Sequence, residues 1–208
     1  MKQYFTYTEK ETGYLKSQDE KLAQLITATG HVYRDVNPDL YDALIDSIIG
    51  QQISTAAHNT IRKRIADRYV KLTKEKVNSL TDEELQSLGL SWRKVSYIRD
   101  ITGKITSGEL DTDALQKMDD ERVIKELVKL KGVGRWTAEM VLTFSMQRPD
   151  VLSYGDLAIR RGIMKLYGIE ELNEEQFHQL TDRFSPYRTT AALYFWHYAN
   201  PACKLVIG

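Results

Sequence analysis

The segment Leu130-Lys131-Gly132-Val133-Gly134-Arg135-Trp136-Thr137-Ala138 lies between two stretches of helical periodicity. Val123, Leu127 and Leu130 lead into it at i, i+4 and i+7, and Met140, Val141 and Phe144 form an apolar face after it. Two glycines one residue apart let a backbone turn tightly and approach a ligand with no Cβ in the way. The amides that open the second helix carry its partial positive charge and suit a phosphate oxygen. Carbonyls of the same turn face elsewhere and can hold a monovalent cation. A bare G-x-G fits an ordinary glycine-capped turn just as well; the string L-x-G-V-G-x-x-T-A is far more specific. Further on, Asp156 follows a glycine loop and opens an apparent helix, Leu157–Tyr167. Taken alone, such an aspartate reads as an N-cap. The stretch Val128–Arg161 carries six basic residues (Lys129, Lys131, Arg135, Arg148, Arg160, Arg161) against three acidic ones. That is either a surface able to neutralise a few phosphates or a solvated mixed-charge face.

The elements that must position these groups read as helical nearly throughout. Asn37-Pro38 reads as a cap followed by proline in the first turn of a helix, with Leu40, Leu44 and Ile48 on one face and Gly50 at its end. Thr81 with Glu84 and Asn173 with Gln176 have capping-box spacing. Ser185-Pro186 reads as another cap-plus-proline start, and Trp92, Val95, Ile98 and Ile105 recur at helical spacing after Ser91. Residues 1–15, rich in Tyr and Thr, are the place for a short strand or extended arm. The expected fold is all-α, with about eight to ten short helices. The 208 residues suffice for one large domain or two small lobes, and the 29 basic and 29 acidic side chains cancel. The single cysteine, Cys203, cannot make an internal disulfide or a four-cysteine metal or iron–sulfur site. His31, His58, His178 and His197 show no metal-ligand spacing and read as structural or surface residues. No apolar run reaches spanning length and the N-terminus lacks a signal-peptide core, so a reducing compartment, cytoplasmic or nuclear, is expected.

Four ordered motifs resemble one family, the DNA glycosylases named for a helix-hairpin-helix followed by a Gly/Pro-rich loop with an aspartate. Leu130–Ala138 resembles the hairpin, and Pro149–Gly162, with Asp156 inside it, the loop and aspartate. Ile48-Ile49-Gly50-Gln51-Gln52-Ile53-Ser54 resembles the segment that meets the DNA minor groove. Gly89-Leu90-Ser91-x-x-Lys94 resembles a turn of the 3-methyladenine glycosylase II branch. The similarity runs from about Asn37 to Ala199. It implies a two-lobed helical fold with the active site in the cleft between lobes. An N-terminal segment, 1–36, would pack on the C-terminal lobe; the catalytic domain would be 37–200, with its hairpin in 120–147, and 201–208 a tail.

By this resemblance Asp156 is the catalytic carboxylate, stabilising the positive charge that builds on the sugar as the N-glycosidic bond breaks. Trp136 and Tyr187 match pocket aromatics for a flipped base, and an electron-rich face attracts a purine made cationic by alkylation; for both the alternative is packing between helices. Gln52 matches the wedge that fills the gap left by that base, with Gln51 beside it. Lys131, Gly132, Val133, Gly134, Arg135 and Thr137 are the expected hairpin contacts to DNA. Backbone carbonyls of Val128, Leu130 and Val133 would hold Na+ or K+; the chemistry itself requires no cofactor. Relatives that also cleave the backbone place a Schiff-base lysine where this chain has Trp136. The implied activity is therefore monofunctional: hydrolytic excision of alkylated purines from damaged double-stranded DNA by a monomer, with no AP lyase step and no membrane partner. Two departures from the pattern stand out. Lys131 occupies a position where many relatives have proline, and longer bacterial relatives carry an additional N-terminal domain. Another base specificity (uracil, mismatched thymine or hypoxanthine), or a DNA-binding module without catalysis, are the alternatives.

Overall fold

A computed structural model describes residues 2–207, which separate into two compact units. One is formed by residues 37–146. Its helices are α3 (Leu40–Gly50), α4 (Thr55–Tyr69), α5 (Lys74–Ser79), α6 (Asp82–Ser87), α7 (Trp92–Thr106), α8 (Thr112–Lys117), α9 (Asp120–Leu127) and α10 (Arg135–Phe144). The other joins the N-terminal 36 residues to those from 147 onward. It holds β1 (Gln3–Tyr4), α1 (Glu9–Gln18), α2 (Glu20–Thr29), β2 (Asp35–Val36), α11 (Leu157–Tyr167), α12 (Glu174–Thr181), a 3-10 turn (Asp182–Phe184) and α13 (Arg188–Ala199).

In the 37–146 unit, α3 is the buried centre: Leu40, Tyr41, Leu44, Ile45, Ile48 and Ile49 are all covered. Val95, Ile98 and Ile101 of α7 and Val123, Ile124 and Leu127 of α9 complete this core with Ala138, Val141 and Leu142 of α10. The Tyr41 hydroxyl, hydrogen-bonded to Thr102 Oγ1 at 2.9 Å, is pushed up to about 12 by burial. Most helices here start on a Ser, Thr or Asp that accepts a first-turn amide, as orphan N–H groups require. These caps explain why thirteen α-helices form among the described residues, more than the periodicity implied. Thr73 and Asp111 each cap a six-residue helix too short for periodicity to show. Asn37 does not cap α3: Asp39 does, while Asn37 Nδ2 donates to Asp42 Oδ2 at 2.7 Å.

In the second unit, α13 is covered almost all round, with Leu193, Tyr194, Phe195 and Tyr198 buried against Ile159, Ile163 and Leu166 of α11. Leu15 of α1 and Leu22, Leu25 and Ile26 of α2 join the same cluster. The short strand expected within residues 1–15 is Gln3–Tyr4, paired antiparallel with Asp35–Val36. A capping box of Thr8 and Glu11 then starts α1. The boxes at Thr81 and Asn173 form as expected. Ser185-Pro186 is not a cap-plus-proline start, because α13 begins after Tyr187 and the Ser185 hydroxyl donates to Asp150 Oδ2 at 2.8 Å.

Candidate active site and DNA-contacting hairpin

In the hairpin, Val128 ends α9 and the Val133 amide reaches back to the Leu130 carbonyl at 3.2 Å. Gly132 takes φ +81°, and a Cβ there would overlap the Tyr97 ring. Glycine is therefore required twice over, by backbone sign and by the ring. Gly134 opens α10 with extended backbone and no side-chain cap, so the first amides of α10 have no cap oxygen of their own. Leu130 and Val133 are buried, whereas Val128 is half exposed. The donor set these three carbonyls offer is neutral oxygen, which suits a hard monovalent cation.

Several expected contacts take other roles. Gln51 Nε2 donates to the Gly132 carbonyl at 2.7 Å, tying the 51–54 loop to the hairpin. The Arg135 guanidinium is turned onto carboxylates, reaching Glu121 Oε1 at 2.6 Å and Glu139 Oε1 at 3.0 Å, and it holds Glu121 below the usual carboxylate range. Thr137 is buried, so its side chain is not presented to solvent. Lys131 does extend outward; its amide donates to Asp100 Oδ2 at 2.9 Å, with Nζ 3.9 Å from Asp100 Oδ1. Trp136 is 46% exposed in the first turn of α10.

Gln52 is exposed and sits at φ +56°, a left-handed conformation uncommon for a side chain of its size. Its Oε1 accepts from Arg93 Nη2 at 2.9 Å. Three residues before Gln52, the Ile49 carbonyl accepts from Nζ of the buried Lys94 at 2.7 Å. The ammonium thereby satisfies a carbonyl at the C-terminal end of α3, where positive charge is favoured. Burial, helped by the neighbouring Arg93, pulls the Lys94 ammonium below its ordinary value.

Asp156 is buried and caps α11. Its Oδ1 accepts the Ala158 and Ile159 amides, each at 2.9 Å, and the Trp196 indole Nε1 at 3.1 Å. Three N–H donors converging on one oxygen fix the carboxylate's orientation. The Arg34 guanidinium lies 5.6 Å from the centre of the Trp196 ring. The loop before Asp156 is fastened to the start of α13. Asp150 makes a bidentate pair with Arg188 (2.9 and 3.0 Å), and the Val151 amide donates to Thr189 Oγ1 at 2.9 Å. Tyr187 is half-buried, packed edge-to-face on Tyr14 at 5.3 Å between ring centres.

Asp150 carries a pH signature. Burial works against its charge, but Arg188 and Ser185 outweigh it and hold the carboxyl below its ordinary 3.8. A carboxyl whose folded value is depressed contributes stability that is full above the unfolded value and lost as pH falls through the folded one. The acid limb of a melting-temperature profile should therefore decline below about pH 4, and Asp150→Asn should flatten that decline while lowering stability at neutral pH. An unchanged profile would remove the Asp150–Arg188 pair as a fastening of the loop.

Sequence spacing does not disclose Trp196, 40 positions beyond Asp156, nor the Asp150–Arg188 pair. For Lys94 the signal was present in Gly89-Leu90-Ser91-x-x-Lys94, though its partner was not.

A hairpin with an uncapped second helix, and a carboxylate oriented at the head of a helix after a glycine loop, define the class of base-excision proteins built on this motif. Residues 45–186 match the family model described as HhH-GPD superfamily base excision DNA repair protein, and the chain belongs to that superfamily. Among its relatives is DNA-3-methyladenine glycosylase 1 of Schizosaccharomyces pombe, 30% identical over 192 residues, covering 88% of this chain and 84% of the relative. A crystal structure of a DNA-3-methyladenine glycosidase from Bacillus halodurans superposes with TM-score 0.85 and 35% identity, covering 96% of this chain and 93% of that one. The Schizosaccharomyces pombe 3-methyladenine DNA glycosylase in complex with abasic DNA superposes with TM-score 0.77 and 29% identity, covering 90% and 95%.

Proposed function

We propose that this protein is a monofunctional DNA glycosylase that flips alkylated purines out of duplex DNA and excises them hydrolytically. The observation that carries this reading is Asp156, a buried carboxylate aimed by three N–H donors at the head of α11, in a chain of this superfamily. Its negative charge stabilises the sugar cation as the base departs, and water completes the hydrolysis. Tyr187, on the same unit as Asp156, and Trp136, on the other, are each an aromatic face on which an electron-poor base can stack. The α10 amides and Lys131 take a phosphate, with a monovalent cation on the carbonyls of Val128, Leu130 and Val133 adding positive charge at the same place. Trp136 stands where a Schiff-base lysine would be needed, so no covalent sugar intermediate forms and no strand break follows.

The test is incubation with methylated duplex DNA and chromatography of the released bases. Free 3-methyladenine or 7-methylguanine with an intact sugar–phosphate backbone is expected. Binding without release at enzyme excess would leave only a DNA-binding module. Borohydride trapping of an enzyme–DNA adduct would contradict the hydrolytic route.

A further inference from the structure

The guanidinium of Arg34, in the N-terminal segment, lies 5.6 Å from the centre of the Trp196 ring, and the indole Nε1 of that ring donates to Asp156 Oδ1 at 3.1 Å. All three residues belong to the same compact unit. The stack would be ordinary packing if it were what holds the N-terminal segment in place. That segment is held without it. The Phe5 amide donates to the Arg34 carbonyl at 2.9 Å, and Gln3–Tyr4 pair with Asp35–Val36. The Tyr7 hydroxyl accepts the Val32 amide at 2.6 Å and lies 3.2 Å from the hydroxyl of Tyr194, which donates to the Gly30 carbonyl at 3.1 Å. Tyr194 precedes Trp196 by two residues on α13. The backbone on both sides of Arg34 is thus tied to the N-terminal strand or to the helix that carries the indole, and docking does not depend on the Arg34 side chain. An exposed guanidinium stacked on a half-buried indole fixes the plane of the ring, and with it the direction of the N–H. A cation is attracted to the π face, and by drawing electron density from the indole it strengthens the N–H as a donor to the carboxylate.

We propose that Arg34 is a positioning residue for base excision: stacked on Trp196, it orients and strengthens the indole N–H that holds Asp156. The proposal rests on the glycosylase reading for the role of Asp156. It makes the N-terminal segment part of the catalytic apparatus through the chain Arg34–Trp196–Asp156, with no contact to DNA required of Arg34.

The experiment uses the full chain, below the melting temperature of each variant. With enzyme in saturating excess over methylated duplex, Arg34→Gln should slow single-turnover release of 7-methylguanine by about 2- to 30-fold, the rate equivalent of losing one cation–π contact. Binding to a duplex carrying a tetrahydrofuran abasic analogue should stay as in wild type. In a Trp196→Phe background, which lacks the indole N–H, Arg34→Gln should slow release no further. The Trp196 indole proton, assigned in the NMR spectrum by its loss from Trp196→Phe, should move upfield in Arg34→Gln. Equal release by wild type and Arg34→Gln overturns the proposal, as does an indole proton that stays in place. Effects of the two substitutions that simply multiply overturn it as well. So does weaker binding with an unchanged saturated rate, because Arg34 would then be a DNA contact. Failure of the parent reading looks different: wild type would release no alkylated purine, while the indole proton would still report whether Arg34 sets the bond to Asp156.

Discussion

Asp156→Asn is expected to bind duplex DNA as wild type does while losing base release by on the order of 10²–10³-fold, the scale for removing one preorganised electrostatic group from a reacting centre. The substitution isolates charge from architecture. Asn can still present an oxygen to the Ala158 and Ile159 amides and to the Trp196 indole, and Asn and Asp are comparable helix caps. What disappears is the negative charge proposed to stabilise the sugar cation. The favourable interaction of that charge with the N-terminus of α11 is lost as well, at roughly 0.3–1 kcal/mol. Melting temperature should therefore move by no more than about 4 °C. The measurement is single-turnover release of 7-methylguanine, paired with fluorescence anisotropy on an abasic duplex. An unchanged release rate would remove Asp156 from the chemistry. A large fall in melting temperature would mean that its role is in the fold.

The reach of sequence reasoning followed the locality of the physics. Capping boxes close within four residues, so Thr81–Glu84 and Asn173–Gln176 were readable, and Thr8–Glu11 was readable in principle by the same rule. Gly132 and Gly134 marked a tight hairpin because φ above zero and an extended cap are local backbone demands. Asp156 was identifiable both as a cap and, by resemblance, as the candidate carboxylate, but its third donor was not. Trp196 reaches Asp156 only because α13 packs along α11, a tertiary fact with no spacing rule. The same holds for Arg135, whose basic character suited phosphate while its neighbours Glu121 and Glu139 took the guanidinium. Trp92 shows the opposite error. Periodicity counts an apolar residue toward the core, and nothing in the pattern distinguishes the one left in solvent.

Gly162→Ala should destabilise the protein by about 2 kcal/mol, some 4–8 °C in melting temperature, although in a helix interior the same change ordinarily stabilises. Glycine in mid-helix costs roughly 0.5–1 kcal/mol relative to alanine through chain entropy. At Gly162 that gain is overridden by contact. A Cβ there would stand 2.8 Å from the Phe195 carbonyl carbon and nearer still to its oxygen. Those atoms are backbone of α13, so no rotamer change relieves the overlap; the two helices must part. Gly103, inside α7, provides the control, since a Cβ there meets nothing within 4 Å and alanine should add up to about 1 kcal/mol. The clash also bears on catalysis. α11 begins at Asp156 and α13 carries Trp196 next to Phe195, so separating the helices lengthens the 3.1 Å indole–carboxylate bond. Gly162→Ala should therefore slow base release even at temperatures where it remains folded, whereas Gly103→Ala should not. If the two alanine variants proved equally stable and equally active, the close α11–α13 contact would have no part in holding the carboxylate.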